Sequence, residues 1–193
     1  MSAPSQTPEL PSSVAGHSFG PALGSANLLE SDVVYTPLWA ARDIVEWFKP
    51  SGTILEPSKG GGAFMRYLPP ETEWCEIQEG RDFYSWSKRV DWIIGNPPYS
   101  GIPTWLRHSF KLADNIAYLI PLRSVFLGPQ LIRDIYAWGG IKHMRHYGGG
   151  NKLGFPFGNA IGALHFQRGW SGPMDVSHYS PNAPDQRPGD RTI

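Results

Sequence analysis

The chain has 193 residues, 40% of them hydrophobic, and a formal net charge of zero, which suits one domain with a real core rather than two and argues against a protein that coats nucleic acid. No apolar run reaches the roughly 18 residues of a membrane span, and no basic-then-apolar leader opens the chain, so neither a membrane protein nor a secreted one is expected. Cys75 is the only cysteine, which excludes an internal disulfide and fits a reducing cytoplasm; a lone thiol in a strand-like stretch is expected to be inert core.

Residues 1–27 are rich in Ser, Pro, Ala and Gly with Glu9 as their one charge, and they read as a flexible tail. Pro173, Pro181, Pro184 and Pro188 among polar residues make 173–193 a second tail. The folded body expected between them is 28–172. Helical spacing predicts a helix over 38–48, stopped by Pro50–Ser51–Gly52. A short strand over 53–55 precedes a glycine loop, and a short helix over 63–68 is closed by Pro69–Pro70. Strands follow at 73–77 and 90–95, then a helix at 103–113 and an apolar strand at 115–121. A helix over 129–138 ends at Gly139–Gly140, and strands at 142–147 and 160–168 close the body. Strands alternating with helices predict a doubly wound α/β sheet, whose ligands bind beyond the carboxyl ends of the strands.

Charge is unevenly spread. Residues 30–91 carry eleven acids and seven bases, whereas 107–152 carry seven bases against Asp114 and Asp134 alone. One end of the fold can therefore present a positive face while the total stays neutral.

Two stretches carry chemistry. In TILEPSKGGGAF, residues 53–64, a strand delivers Glu56 and three glycines follow, allowing a tight turn and close approach of a ligand. Twenty residues on, Glu76 ends the next strand, where a carboxylate can accept hydrogen bonds from both hydroxyls of a ribose. No GxGxxG spacing and no GK[ST] occur, so a nucleoside ligand with a cationic part suits this loop better than a phosphate. In VDWIIGNPPYSG, residues 90–101, Pro97 and Pro98 stiffen the bend in advance. Asn96 offers a side-chain carbonyl acceptor and Tyr99 a flat face for a planar ring. The bend thus reads as a clamp for an amino group on a planar system. His143, Arg145 and His146 alternate along a strand and need no metal to explain them; no metal is expected.

These residues resemble the amino-group methyltransferases that use S-adenosylmethionine, and most closely the DNA N6-adenine methyltransferases. NPPY, residues 96–99, is similar to that family's catalytic motif letter for letter. EPSKGGGAF, residues 56–64, resembles its cofactor loop, and Tyr35–Thr36–Pro37 resembles the motif preceding the first helix. The resemblance implies a class I (Rossmann-like) fold, a mostly parallel seven-stranded sheet. It implies S-adenosylmethionine as cofactor, held by Tyr35, Thr36, Pro37, Glu56, Pro57, Ser58, Gly60, Gly62, Phe64, Glu76, Asp82, Phe83 and Asn96. Asn96, Pro97, Pro98 and Tyr99 would be catalytic. In the loop 148–159, Phe157, with Phe155 close behind, would sandwich the target base against Tyr99. Asp82 follows Glu76 by only six residues, too few for the helix usual there, and no separate target-recognition domain is expected. Small stand-alone chains of this kind resemble phage or prophage enzymes. NPPY also serves enzymes that methylate adenine in RNA or glutamine amide nitrogen in protein, and a silent cofactor-binding module would keep the same pocket. The basic half of the chain favours nucleic acid, DNA first.

Overall fold

A computed structural model describes residues 34–181; the expected tail over 1–27 and residues 182–193 lie outside the described residues. The elements are helix α1 (Leu38–Phe48), strands β1 (Ile54–Glu56), β2 (Glu73–Trp74) and β3 (Val90–Gly95), helix α2 (Ile102–Leu112), strand β4 (Ala113–Pro121), helices α3 (Arg123–Phe126) and α4 (Pro129–Trp138), and strands β5 (Gly139–Gly149), β6 (Ala160–Arg168) and β7 (Asp175–His178). They build one seven-stranded sheet in the order β2-β1-β3-β4-β6-β5-β7.

The sheet is mixed. Pairs β1–β2, β1–β3, β3–β4 and β5–β7 are parallel, but β6 runs antiparallel to both β4 and β5. Reversing β6 lets a ten-residue connection (150–159) return the chain directly, where a parallel strand would need a crossover. The strands alternate between two cores. On β4, Ile116, Tyr118 and Ile120 join the core beneath α2 and α4, while Ala117 and Leu119 join the core beneath α1, as the period of two in a strand requires. Both faces are covered, which explains the near-continuous apolar runs of β3 and β4. The one buried hydroxyl pair at the α2 face is satisfied: Ser109 Oγ donates to Trp105 O at 2.7 Å and lies 2.7 Å from Tyr118 Oη.

Several sequence-based boundaries shift. The expected helix over 63–68 is a single 3-10 turn, Phe64–Arg66, because three glycines before it and two prolines after it leave no room for a nucleus. The expected strand 73–77 stops at Trp74, and Glu76 instead caps a 3-10 turn by accepting from Gln78 N. The expected tail from 173 is in part a strand: β7 pairs with β5 over His143–Asp175 to His146–His178. Backbone hydrogen bonds to an exposed edge hold it, and its polar, exposed residues carry no strand signature. It also supplies the seventh strand.

Candidate active site

Around β1 the strand order reverses: the chain steps from β1 out to β2, then crosses back to β3 on the other side. The crevice between the carboxyl ends of β1 and β3 is the switch point at which ligands bind in open α/β sheets. Both motifs empty into it.

Glu56 ends β1 fully buried. Its Oε1 accepts from Ser58 N at 3.0 Å, whereas its Oε2 has no hydrogen-bonding partner. Burial pushes its carboxyl up to about 8, helped by the neighbouring Glu76 carboxylate and opposed by the Ser58 N–H and Lys59. A buried carboxyl with an oxygen that no donor meets is costly unless something cationic or hydrogen-bonding completes it. Gly95 is the reason it fits: a Cβ there would fall on Glu56 Oε1 and stand 3.1 Å from Pro57 Cδ. After Glu56 the loop turns through Gly60 (φ +49°) and Gly62 (φ +75°), left-handed conformations that favour glycine. Gly61 lies against the Tyr35 ring, where a side-chain Cβ would stand 3.5 Å from it; Tyr35 itself is 69% exposed. Pro37 begins α1, its carbonyl accepting from Ala40 N and Ala41 N, with Thr36 half-buried before it.

Glu76 joins this loop from the next strand. Its Oε2 accepts from Gly60 N at 2.7 Å and its Oε1 from Gln78 N at 3.2 Å, so each oxygen keeps one lone pair for a ligand hydroxyl. Lys59 pairs with Glu79 and lies 3.9 Å over the Trp74 ring. Asp82 is half-buried and caps the next 3-10 turn through Tyr84 N. Phe83 is 2% exposed and stacked on Trp105 at 4.6 Å; its ring belongs to the core, and Tyr84 beside it is the exposed aromatic. Phe64 is likewise buried in the core under α1. The Cys75 thiol is buried and pushed up to about 11, as expected of inert core.

From the other side of the crevice comes Asn96. Its Nδ2 donates to Val34 O at 3.0 Å, which fixes the amide's orientation. Its Oδ1 is consequently presented as an acceptor, buried and without a partner. Its backbone carbonyl accepts from Ser58 Oγ at 3.0 Å, tying the two motifs together. Pro97 is buried, and Pro98 is extended at φ −55°, ψ 130° before a 3-10 turn, Tyr99–Gly101. The Tyr99 hydroxyl is also buried and unpaired; burial raises its pKa, with Asn96 as the polar neighbour that opposes the shift. The Tyr99 ring meets Phe157 at 5.8 Å and 74°, and Phe155 at 6.4 Å and 60°. The three aromatics expected to handle a planar ring are therefore together, but Tyr99 and Phe157 are closed edge-to-face and Phe155 is tilted against both; a base entering between Tyr99 and Phe157 must turn one of them aside.

Sequence reasoning missed two participants. Val34 acts through its backbone carbonyl, which leaves no signature in a side chain. Gly95 was legible: a glycine ending an apolar strand marks close approach. Among the described residues no group of three or more His, Cys, Asp or Glu could hold a metal, and no helix is long and apolar enough to cross a membrane.

No family model and no curated protein matches the sequence. Solved structures do match its fold. A modification subunit assigned to a type I restriction enzyme of Vibrio vulnificus superposes with a TM-score of 0.56 at 16% identity, over 83% of this chain and 49% of that one. The EcoKI M protein, a type I restriction enzyme subunit, gives 0.53 at 12% identity over 73% and 45%. A Listeria monocytogenes protein assigned to the class I S-adenosylmethionine-dependent methyltransferases gives 0.54 at 10% over 79% and 67%. The fold is that of the class I methyltransferases. Within that class, modification subunits of restriction systems are among the likenesses, and the chain spans about half the length of those subunits.

Proposed function

We propose that the protein transfers a methyl group from S-adenosylmethionine to the exocyclic N6 amino group of adenine in DNA. The observation that carries this reading is the Asn96 amide: Val34 O pins its nitrogen, leaving Oδ1 buried and unpaired beside Tyr99. Such an acceptor is completed by an amino hydrogen. The residues present fit the cofactor too. Glu56, buried with an unpaired oxygen, suits a cationic amino-acid moiety, and the free lone pairs of Glu76 suit ribose hydroxyls. Tyr35 and the glycine loop would flank it. When bound, the cofactor supplies an electrophilic methyl on a sulfonium.

The chain's own work is acceptance and placement. Asn96 Oδ1, with the Pro97 carbonyl as second acceptor, draws the amino hydrogens and leaves the nitrogen lone pair free. The same acceptors stabilise positive charge growing on that nitrogen. Pro97 and Pro98 hold the acceptors still before substrate arrives, so little ordering remains at the reacting centre. Tyr99 gives an extruded base a stacking surface worth about 1–3 kcal/mol, against an extrusion cost of a few kcal/mol. The proton leaves afterwards to solvent, with no general base required. Likeness to restriction-modification subunits and the basic half of the chain support DNA as substrate; NPPY supports adenine.

The test is incubation with methyl-labelled cofactor, separation of DNA, RNA and protein, and digestion of the labelled pool. N6-methyladenine from DNA is expected. Label in RNA, or on glutamine in protein, would replace the substrate; cofactor binding without transfer to any pool would make the chain a silent binding module.

A further inference from the structure

A second concavity opens on the same edge of the sheet. β6 is antiparallel to β4 and β5 to β6, so β5 runs with β3 and β4, and β7 runs with β5. The ends of β5 and β7 therefore share the carboxyl edge with Asn96. Between them and the first turn of α1 lies a groove of about 570 Å³ lined by Trp39, His146, Tyr147, Lys152, His178 and Tyr179. Trp39 is 38% exposed, stacked on Tyr179 at 4.8 Å and 26° and edge-on to Tyr147 at 6.0 Å, so that three aromatic rings build the wall. His146 and His178 are register partners, side by side on adjacent strands. The Lys152 stem lies against Gly148, where a side-chain Cβ would stand 3.2 Å from its Cδ. No carboxylate lines the groove. Asp43, which meets the lining residue Tyr147, is held by the Arg145 guanidinium at 2.6 and 2.7 Å and by the Tyr147 hydroxyl at 2.6 Å.

Flat aromatic faces beside uncompensated basic groups are the combination that binds an unpaired nucleotide, base on ring and phosphate on cation. We propose that this groove binds an unpaired nucleotide on the strand that carries the target adenine. This rests on the reading of the chain as a DNA adenine methyltransferase. From β3 to β5 and β7 is three to four strand spacings of about 4.8 Å, or roughly 14–19 Å, a distance that a few nucleotides span. The groove thereby supplies a foothold on the substrate within the methyltransferase fold itself.

The experiment measures anisotropy of a labelled single-stranded, adenine-containing oligonucleotide with the full chain at several salt concentrations. Trp39→Ala is expected to weaken binding roughly 5- to 150-fold, the loss of one stacked base. Lys152→Gln and His178→Gln are expected to weaken it less, with the salt slope falling by about one for Lys152→Gln. In turnover, KM for the oligonucleotide should rise with kcat and cofactor affinity unchanged. Wild-type affinity and salt slope in all three variants would overturn the proposal, even if adenine is methylated. Variants that lose binding while no adenine is ever methylated would uphold the groove and sink the functional reading instead. Unaltered hydrogen exchange at 146–148 and 178–179 on adding oligonucleotide would overturn the proposal as well.

Discussion

Replacing Glu56 with Gln should stabilise the free protein and disable it. In the folded chain the carboxyl is pushed by burial to about 8, from 4.5. Between those values the unfolded chain has released the proton and the folded chain still holds it. The unfolded state then binds fewer protons, so stability falls as pH rises from 4.5 to about 8. The slope is about 1.4 kcal/mol per pH decade, and the whole window corresponds to at most about 5 kcal/mol. His143 and His165, held neutral by burial down to about 4 and about 3, push the other way. They favour the folded state as pH rises through their depressed pKa values and finish doing so near 6.5. From pH 6.5 to 8 the Glu56 contribution therefore stands apart, and the wild type should lose about 2 kcal/mol there. Glu56→Gln mimics the protonated form and should lack that loss. Urea denaturation of both proteins at pH 6.5, 7.3 and 8 reads the difference directly. S-adenosylmethionine should restore the wild type most strongly at pH 8, where the carboxylate is available to a cation, and should leave the variant unmoved. Parallel stability curves for the two proteins over this window would refute the assignment of a strained, neutral Glu56.

Gly95→Ala should cripple the cofactor side of the site, because its Cβ would fall on Glu56 Oε1 and press on Pro57. A destabilisation of about 1–3 kcal/mol and weakened cofactor binding by calorimetry are expected, and unchanged cofactor affinity would show the close approach to be unimportant. At Tyr99 the ring and the hydroxyl separate: the hydroxyl is buried and unpaired, so Tyr99→Phe should be neutral or up to about 1 kcal/mol more stable with activity retained. Tyr99→Ala should instead lose most of the transfer rate, and equal losses in the two variants would contradict stacking.

Much of the fold was legible from local rules. α4 and β6 fall at the boundaries expected, since Pro129 starts the one and a near-continuous buried run ends in polar Gln167 and Arg168 in the other. The bend at Asn96 was legible because an apolar strand meeting two prolines has few conformations open to it. What escaped was decided by tertiary approach. β5 was expected over 142–147 but runs from Gly139 to Gly149. Its glycines looked like turn signals, yet at Gly139 and Gly140 they serve close packing: a Cβ would strike the Gln167 carbonyl at the first and stand 2.7 Å from the Trp170 carbonyl at the second. β7 is held by the backbone edge of β5, with the Ser177 hydroxyl 2.8 Å from His143 Nε2, a long-range contact its own sequence does not announce. Phe83 was expected at a ligand, and its ring stacks on Trp105, a residue of α2 that is remote in sequence. The Asn96 clamp was half legible: the acceptor is written in the side chain, while the Val34 carbonyl that orients it is written in none.

One measurement bears most directly on the clamp: Asn96→Ala, assayed with labelled S-adenosylmethionine for equilibrium binding and for single-turnover transfer to DNA. Transfer should fall by at least about a hundredfold, the usual loss when a charge-stabilising partner is removed from a reacting centre, while the variant still binds cofactor. Full transfer by the variant would contradict the clamp.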